Sequence, residues 1–273
     1  MSAPDYVLGY SEHEQQRLLK QAAILRACTE RFFRAGGLAP GMRVLDLGCG
    51  MGDVSLLAAD LVGPQGTVLG VDRDAQALTR ARERAAQHGC AEYVDFQQMQ
   101  LQELKGGQLF DAAVGRYVLL YQADPAATLR HVASLVKPGG RLIFHELDFG
   151  QVVPPWPEAP LWMRTYTIMS EAFRRGGNPP DFGRRLVRTF LDAGLPWPTV
   201  QAEIPVGGEP GSFVYGWVAD TVRSLLPRIE QFGLATAAEL QIDTLAARME
   251  QESVVLGAQL IGPTQFGAWT VKA

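Results

Sequence analysis

One ten-residue stretch, Val44-Leu45-Asp46-Leu47-Gly48-Cys49-Gly50-Met51-Gly52-Asp53, has the residue types and spacing to bind a charged small molecule. Glycines at alternate positions after an apolar run permit a tight turn and close approach of a ligand to the backbone. The helical pattern that follows offers unpaired N–H groups at its start. A dinucleotide site would need G-x-G-x-x-G, with pyrophosphate on that helix start. The spacing here is G-x-G-x-G, and Asp46 stands two residues before the first glycine. Its carboxylate would repel a pyrophosphate. It suits an ammonium or sulfonium cation, through opposite charge and hydrogen bonding. Asp72 ends the next strand pattern, 22 residues past Gly50, where an acidic side chain can accept both hydroxyls of a ribose. A nucleoside joined to a cation describes S-adenosylmethionine.

Further reactive side chains follow later strand patterns. His145, Glu146 and Asp148 come after the fifth. His145 titrates in the useful range and is the first candidate for a general base, with Glu146 a second catalytic candidate or a group that positions the substrate. Arg116, Tyr117 and Tyr121 come after the fourth, Tyr121 as proton donor or base and Tyr117 as a substrate contact. A hydrogen-bonded structural histidine and half-buried tyrosines are the competing reading. Tyr6 and Tyr10 precede the first helix and are lid candidates, Tyr6 toward substrate and Tyr10 toward cofactor, while Gln21 reads as a solvated helix residue. Trp156, Trp162, Met163, Tyr166, Met169, Phe213, Tyr215 and Trp217 suit a lid over an apolar small molecule. Of these, Trp156, Tyr166, Phe213 and Trp217 are the substrate-binding candidates. Asn178-Pro179-Pro180-Asp181 reads as a loop and helix start rather than as chemistry.

These residues need a scaffold, and the hydrophobic period supplies one. Residues 11–36 form an amphipathic helix, with Ser11 as N-cap and Glu14 at capping-box spacing. Strands are expected at Arg43–Leu47, Thr67–Val71, Tyr93–Gln98, Phe110–Val114 and Arg141–Glu146. Helices alternate with them at Val54–Val62, Asp74–His88 and Pro125–Val136, the last closed by Lys137-Pro138-Gly139-Gly140. Such alternation of short apolar strands with helices argues for a parallel sheet covered on both faces. Beyond residue 150 helices are expected over Leu161–Arg175 and Phe182–Ala193. Residues 211–258 read as two helices, with Pro227 and Gly233 near their junction. Thr199–Val206 and a segment within 264–271 read as partner strands.

The four motifs, in this order and at this spacing, resemble those of the class I S-adenosylmethionine-dependent methyltransferases: Val44–Gly52, Val71-Asp72, Phe110–Gly115 and Leu135–Leu142. The resemblance covers residues 40–146 and is broadest to the ubiquinone/menaquinone-methylating enzymes and their secondary-metabolite relatives. It implies a Rossmann-like seven-stranded, mostly parallel sheet with an antiparallel last strand and helices on both faces. A helical lid would be inserted between strands 6 and 7. It implies one methyltransferase domain, with residues 1–39 a helical cap, 40–150 the cofactor core and 151–273 the substrate and lid region. By the same resemblance, the backbone of Gly48, Cys49 and Gly50 lies along the methionine and ribose, and Asp46 helps hold the amino group. Asp72 binds the ribose, Arg73 lies beside the adenine, and the carbonyl near Arg116 accepts from the ammonium. The family usually places an Asp after the third strand to meet the adenine amine; here Gln100 takes that position, followed by the Leu101 N–H.

With 29 acidic against 25 basic residues the net charge is −4, and no basic run exceeds two residues, which argues against nucleic acid and polybasic membrane docking. Cys28, Cys49 and Cys90 are too few and scattered for a disulfide framework or a Cys-rich zinc site, so no metal is expected. The N-terminus lacks the pattern of a secretory signal, and no apolar run is long enough for a membrane span. The expectation is a cytoplasmic enzyme of small-molecule, secondary-metabolite methylation, with a homodimer left open. A cofactor-assisted cyclase on the same scaffold is the alternative, and a non-catalytic cofactor-binding protein the third reading.

Overall fold

The structure, a computed structural model, describes residue 8 and residues 12–104, 109–151 and 153–273. Its elements run α1 (Glu12–Ala35), β1 (Arg43–Leu47), α2 (Asp53–Val62), β2 (Thr67–Asp72), α3 (Ala75–His88), β3 (Val94–Gln98) and β4 (Phe110–Arg116). There follow α4 (Pro125–Ser134), β5 (Val136–Asp148), α5 (Pro160–Arg175), α6 (Leu186–Asp192), β6 (Thr199–Glu203) and β7 (Val206–Gly207). The chain ends with α7 (Phe213–Gln231), α8 (Ala237–Leu240), α9 (Leu245–Leu256), β8 (Leu260–Ile261) and β9 (Thr264–Val271). Two compact units result, and α1 contributes to both.

The unit made of Arg26–Glu146, Arg184–Ala202 and Phe266–Ala273 carries a seven-stranded sheet of order β3-β2-β1-β4-β5-β9-β6. β1 to β5 pair in parallel. The Lys272 N–H donates to the Gly140 carbonyl (2.9 Å) and the Gly139 N–H to the Lys272 carbonyl (2.8 Å). The end of β9 therefore lies beside the start of β5, and the two strands run in opposite directions. This is the expected seven-stranded Rossmann-like sheet. Strand order reverses between β1 and β4, which opens the crevice where such sheets bind ligands. Register then aligns the candidate residues along the carboxyl ends: Asp72 beside Gln98, Leu47 beside Val71 and Gly115, and Arg116 beside His145.

β1 is buried from Val44 to Leu47, as a central strand covered on both faces must be. Phe33, Leu57, Leu78, Phe96, Val114 and Ile143 belong to one continuous core against it. The second half of α1 lies close to the sheet. A Cβ on Gly267 of β9 would fall 2.3 Å from the Phe32 ring, so only a hydrogen fits there.

β5 departs from expectation. α4 stops at Ser134, and pairing resumes at once, with Val136 opposite Phe110. Lys137-Pro138-Gly139-Gly140 is not a turn between elements. It is a bulge inside β5, since Ala112 next pairs with Arg141. Bonds from Lys137 to Asp111 (2.6 Å) and from the Lys272 ammonium to the Val136 carbonyl (2.7 Å) hold it.

The other unit comprises residues up to Leu25, Leu147–Gly183 and Glu203–Gln265. Residues 213–256 form three helices rather than two. α7 runs straight through Pro227, because Val214, Val218, Val222, Leu225 and Ile229 bury one side of it and outweigh the lost backbone bond. It ends before Gly233 (φ +62°), and Thr236 opens α8 with a capping box. The strand expected over Thr199–Val206 splits around Pro205. β6 joins the large sheet, and β7 pairs with β8 in a separate two-stranded sheet. Phe182–Ala193 begins as a 3-10 turn before α6. Ser11 lies outside the described residues, and both Glu14 oxygens accept from Arg17 (2.6 and 2.7 Å).

Replacing Phe32 by Ala removes a fully buried ring and is expected to cost about 3–5 kcal/mol of stability in urea unfolding. A loss under about 1 kcal/mol would show that the helix is not seated on the sheet as described.

Candidate active site

The glycine loop leaves β1 with Gly48, Gly50 and Gly52 at φ of +60°, +51° and +82°, conformations that exclude most side chains. A Cβ on Gly50 would meet nothing within 4 Å, so open space lies against that backbone. The loop is pinned from several sides. The Cys49 N–H donates to the Val71 carbonyl (3.0 Å), and the Gly50 N–H donates to Asp72 Oδ2 (2.8 Å). From α3, Arg84 reaches the Met51 carbonyl and the Asp53 carboxylate, each at 2.6 Å. Burial and the Asp46 charge push the Cys49 thiol well up, so it carries no thiolate for chemistry.

Asp46 is fully buried in β1. Its Oδ2 accepts from the Ser55 hydroxyl (2.6 Å), whereas Oδ1 is buried without a partner. Burial raises its pKa to about 7, against the Ser55 bond and the Arg116 charge, which both lower it. An unpaired buried carboxylate oxygen is costly unless a donor or cation arrives. Asp72 Oδ1 also accepts the Asp74 N–H (2.9 Å). Each carboxylate oxygen keeps a second lone pair, so ribose hydroxyls and backbone can share it. Beside Asp72, the half-open end of β3 holds the adenine candidates. Arg73 and Gln100 are exposed, and Leu101 is half-buried. The Gln100 N–H bonds Glu103 (2.8 Å) as a one-turn helix begins at Leu101. An orphaned acid oxygen, an open glycine turn and a ribose-type acid together fit a nucleoside bearing a cation.

Across the switch point, β4 ends at Arg116, and Tyr117 takes a left-handed conformation (φ +58°) with its N–H on the His145 carbonyl (2.8 Å). His145 is buried. Its Nδ1 lies 3.0 Å from the Thr29 hydroxyl, which also accepts from Arg116 (3.3 Å). Its ring meets Phe32 and Tyr117 edge-on, at 5.1 and 5.5 Å. Glu146 is also buried, and its Oε1 accepts the Val118 and Leu119 N–H groups (2.9 and 2.8 Å). Desolvation raises its pKa to about 8 even though those backbone donors lower it. One oxygen of this carboxyl is thus engaged by backbone. Burial likewise holds the Tyr117 phenol well above its usual range. Tyr121 closes the one-turn helix Leu119–Tyr121.

Thr29, Ser55 and Arg84 escaped the sequence reading, being ordinary helix residues until packing places them. The substrate candidates Trp156, Tyr166, Phe213 and Trp217 belong to the other unit. Tyr166 is buried against Phe149 and Trp162. Phe213 and Trp217 face each other with centroids 6.2 Å apart. Trp156 bridges Gln259 through its backbone, and its indole is 83% exposed, so it lines no apolar interior here. Gln21 is not solvated: it is buried and accepts from Arg17 (2.7 Å) and the Trp217 indole (3.2 Å). The Pro180 carbonyl accepts the Phe149 N–H (2.8 Å), as suits a structural loop. Tyr6 and Tyr10 lie outside the described residues.

This fold and these features define a Rossmann-like α/β protein built around a cationic nucleoside. Residues 38–172 match the family described as "Methyltransferase domain". The 2-phytyl-1,4-naphtoquinone methyltransferase of Synechococcus elongatus is 41% identical over 103 residues, 37% of this chain and 44% of that protein. A SAM-dependent methyltransferase from Aquifex aeolicus superposes with TM-score 0.52 at 18% identity, over 72% of this chain and 91% of its own. The [4+2]-cyclase SpnF does so with TM-score 0.51 at 18% identity, over 89% and 80%. At such identities the two structures share the fold alone. The chain spans about half the length or less of the curated relatives it matches. Among the described residues no helix is long and apolar enough to cross a membrane.

Asp46 and Glu146 have folded pKa values raised to about 7 and about 8 from ordinary values of 3.8 and 4.5. The folded state therefore holds their protons more tightly than the unfolded chain. The stability this provides is complete below about pH 4 and is lost as pH rises through 7 and 8. Thermal unfolding is expected at a lower temperature at pH 9 than at pH 6, with a shallower decline in Glu146→Gln. A Glu146→Gln protein with the wild-type decline would show that Glu146 titrates normally.

Proposed function

We propose that the chain transfers a methyl group from S-adenosylmethionine to an oxygen, carbon or nitrogen atom of a largely apolar small molecule. In this reading the whole chain works as one methyltransferase. The observation that carries it is the buried Asp46 carboxylate, its Oδ1 unpartnered, leading into an open glycine loop that Asp72 anchors. In this reading the backbone of Gly48, Cys49 and Gly50 and the Arg116 carbonyl border the methionine end of the cofactor, with Asp46 at its amino group, and Tyr10 stays a lid candidate toward the cofactor. Asp72 takes the ribose hydroxyls, and Arg73, Gln100 and Leu101 border the adenine.

Bound S-adenosylmethionine supplies a methyl group already activated by its sulfonium charge. The chain's own task is then alignment, which converts an encounter into an in-line displacement. A base is needed only where the nucleophile arrives protonated, and His145 or Tyr121 would take that proton. Tyr6, Tyr117, Tyr166, Phe213 and Trp217 are assigned to the acceptor, with Trp156 engaging it only if its exposed indole is covered. The naphthoquinone-methylating relative supports a ring-shaped, apolar acceptor. Three buried, free cysteines suit a reducing cytoplasm, and a homodimer is compatible with the reading.

Incubation with methyl-labelled cofactor and a panel of quinols, phenols and amines is expected to put label into the organic extract. Unlabelled product that still requires bound cofactor would instead mark a cyclisation. Failure of the wild-type chain to bind S-adenosylmethionine in calorimetry would overturn the proposal. Asp72→Ala is expected to weaken that binding by about 1–3 kcal/mol, the scale of lost charge-assisted hydrogen bonds. Unchanged affinity would remove Asp72 from the ribose.

A further inference from the structure

We propose that Glu146 is a positioning residue that presses the turn after β4 against the glycine loop, so that one buried carboxyl group sets the cofactor cradle from the far side of the switch point. This rests on the reading that the glycine loop holds S-adenosylmethionine. The turn at 117–121 has no strand or long helix to shape it. It begins with Tyr117 at φ +58°, and Tyr117 and Gln241 are the two non-glycine residues at positive φ among those described. Such a conformation is unfavourable for a residue with a side chain and persists only where neighbours over-determine it. Here they do. The Tyr117 N–H is taken by the His145 carbonyl, and the next two, on Val118 and Leu119, both converge on Glu146 Oε1. The Val118 carbonyl in turn accepts from the Gln122 amide (3.1 Å) and the Tyr121 N–H (3.3 Å).

With its backbone fixed, Val118 has nowhere to retreat. A Cβ on Gly48 would fall 3.0 Å from Val118 Cγ2, so the valine side chain and the first glycine of the loop are in direct contact. The mechanical sequence is therefore Glu146 to Val118 to Gly48, all within one compact unit. The bonds from Val118 and Leu119 need only an acceptor oxygen. Glu146 Oε2 is buried without a partner, and a pKa near 8 leaves a proton on the group at neutral pH. The role is thus one of acceptor geometry rather than charge, and an amide can perform it.

The test is calorimetric titration of S-adenosylmethionine into wild type, Glu146→Gln, Glu146→Met and Val118→Ala at pH 7.5, with circular dichroism to check folding. Glu146→Gln keeps the acceptor oxygen and is expected to bind within about threefold of wild type. Glu146→Met, similar in bulk but without an acceptor, is expected to bind at least tenfold more weakly. Val118→Ala, which leaves Glu146 intact, should weaken binding severalfold, and it keeps the test decisive if Glu146→Met does not fold. Unchanged affinity in Val118→Ala, or equal losses in folded Glu146→Gln and Glu146→Met, would overturn the inference. Absence of binding by wild type would overturn the cofactor reading instead.

Discussion

Two backbone amides on one carboxylate organise the cofactor end of this molecule. Asp72 accepts the Gly50 N–H with one oxygen and the Asp74 N–H with the other, joining the glycine loop, the end of β2 and the approach to α3. A loop of alternating glycines loses more conformational freedom on folding than any other and would wander without an anchor. Arg84 completes the restraint from α3. The loop is therefore anchored by the protein's own hydrogen bonds, and a preorganised site loses less affinity to ordering.

Asp46, Asp72 and Glu146 stand near the carboxyl ends of their strands, and their surroundings differ. Asp46, in the most enclosed strand, is desolvated and keeps one oxygen unpaired. Asp72, one strand outward, is half-buried and has both oxygens on backbone donors. Glu146 is as buried as Asp46 but spends one oxygen on two amides of a neighbouring turn. The same functional group thus stands as a desolvated acid with an open oxygen, a shared anchor and a backbone clamp, according to burial and the number of donors in reach.

Local patterns carried most of what was legible in the sequence. The glycine spacing, the acids at Asp46 and Asp72, and the strand–helix alternation depend on neighbours along the chain, and the sheet follows from them. What escaped depends on partners far apart in sequence. Pro227 reads as a breaker until the buried face of α7 is known. Lys137–Gly140 reads as a turn until β9 returns more than a hundred residues later to bond it. Gln21 reads as solvated until Arg17 and Trp217 close over it. Glu146 reads as a catalytic candidate, and nothing in its own segment reveals the two amides on its Oε1.

The histidine at the end of β5 shows why the first helix cannot be treated as an appendage. Thr29 and His145 are 116 positions apart, yet the hydroxyl and Nδ1 lie at hydrogen-bond distance, with Arg116 on the same hydroxyl. Such a contact requires the helix to be held in register on the sheet, and Phe32 does this by filling the space that Gly267 leaves on β9. From Arg26 onward the helix clusters with the sheet. Any proton chemistry at His145 is then governed by side chains of the first helix as much as by the strands that carry the cofactor motifs. The strand ends supply the reactive groups here, and for His145 it is the packed helix that supplies the hydrogen-bonding partner.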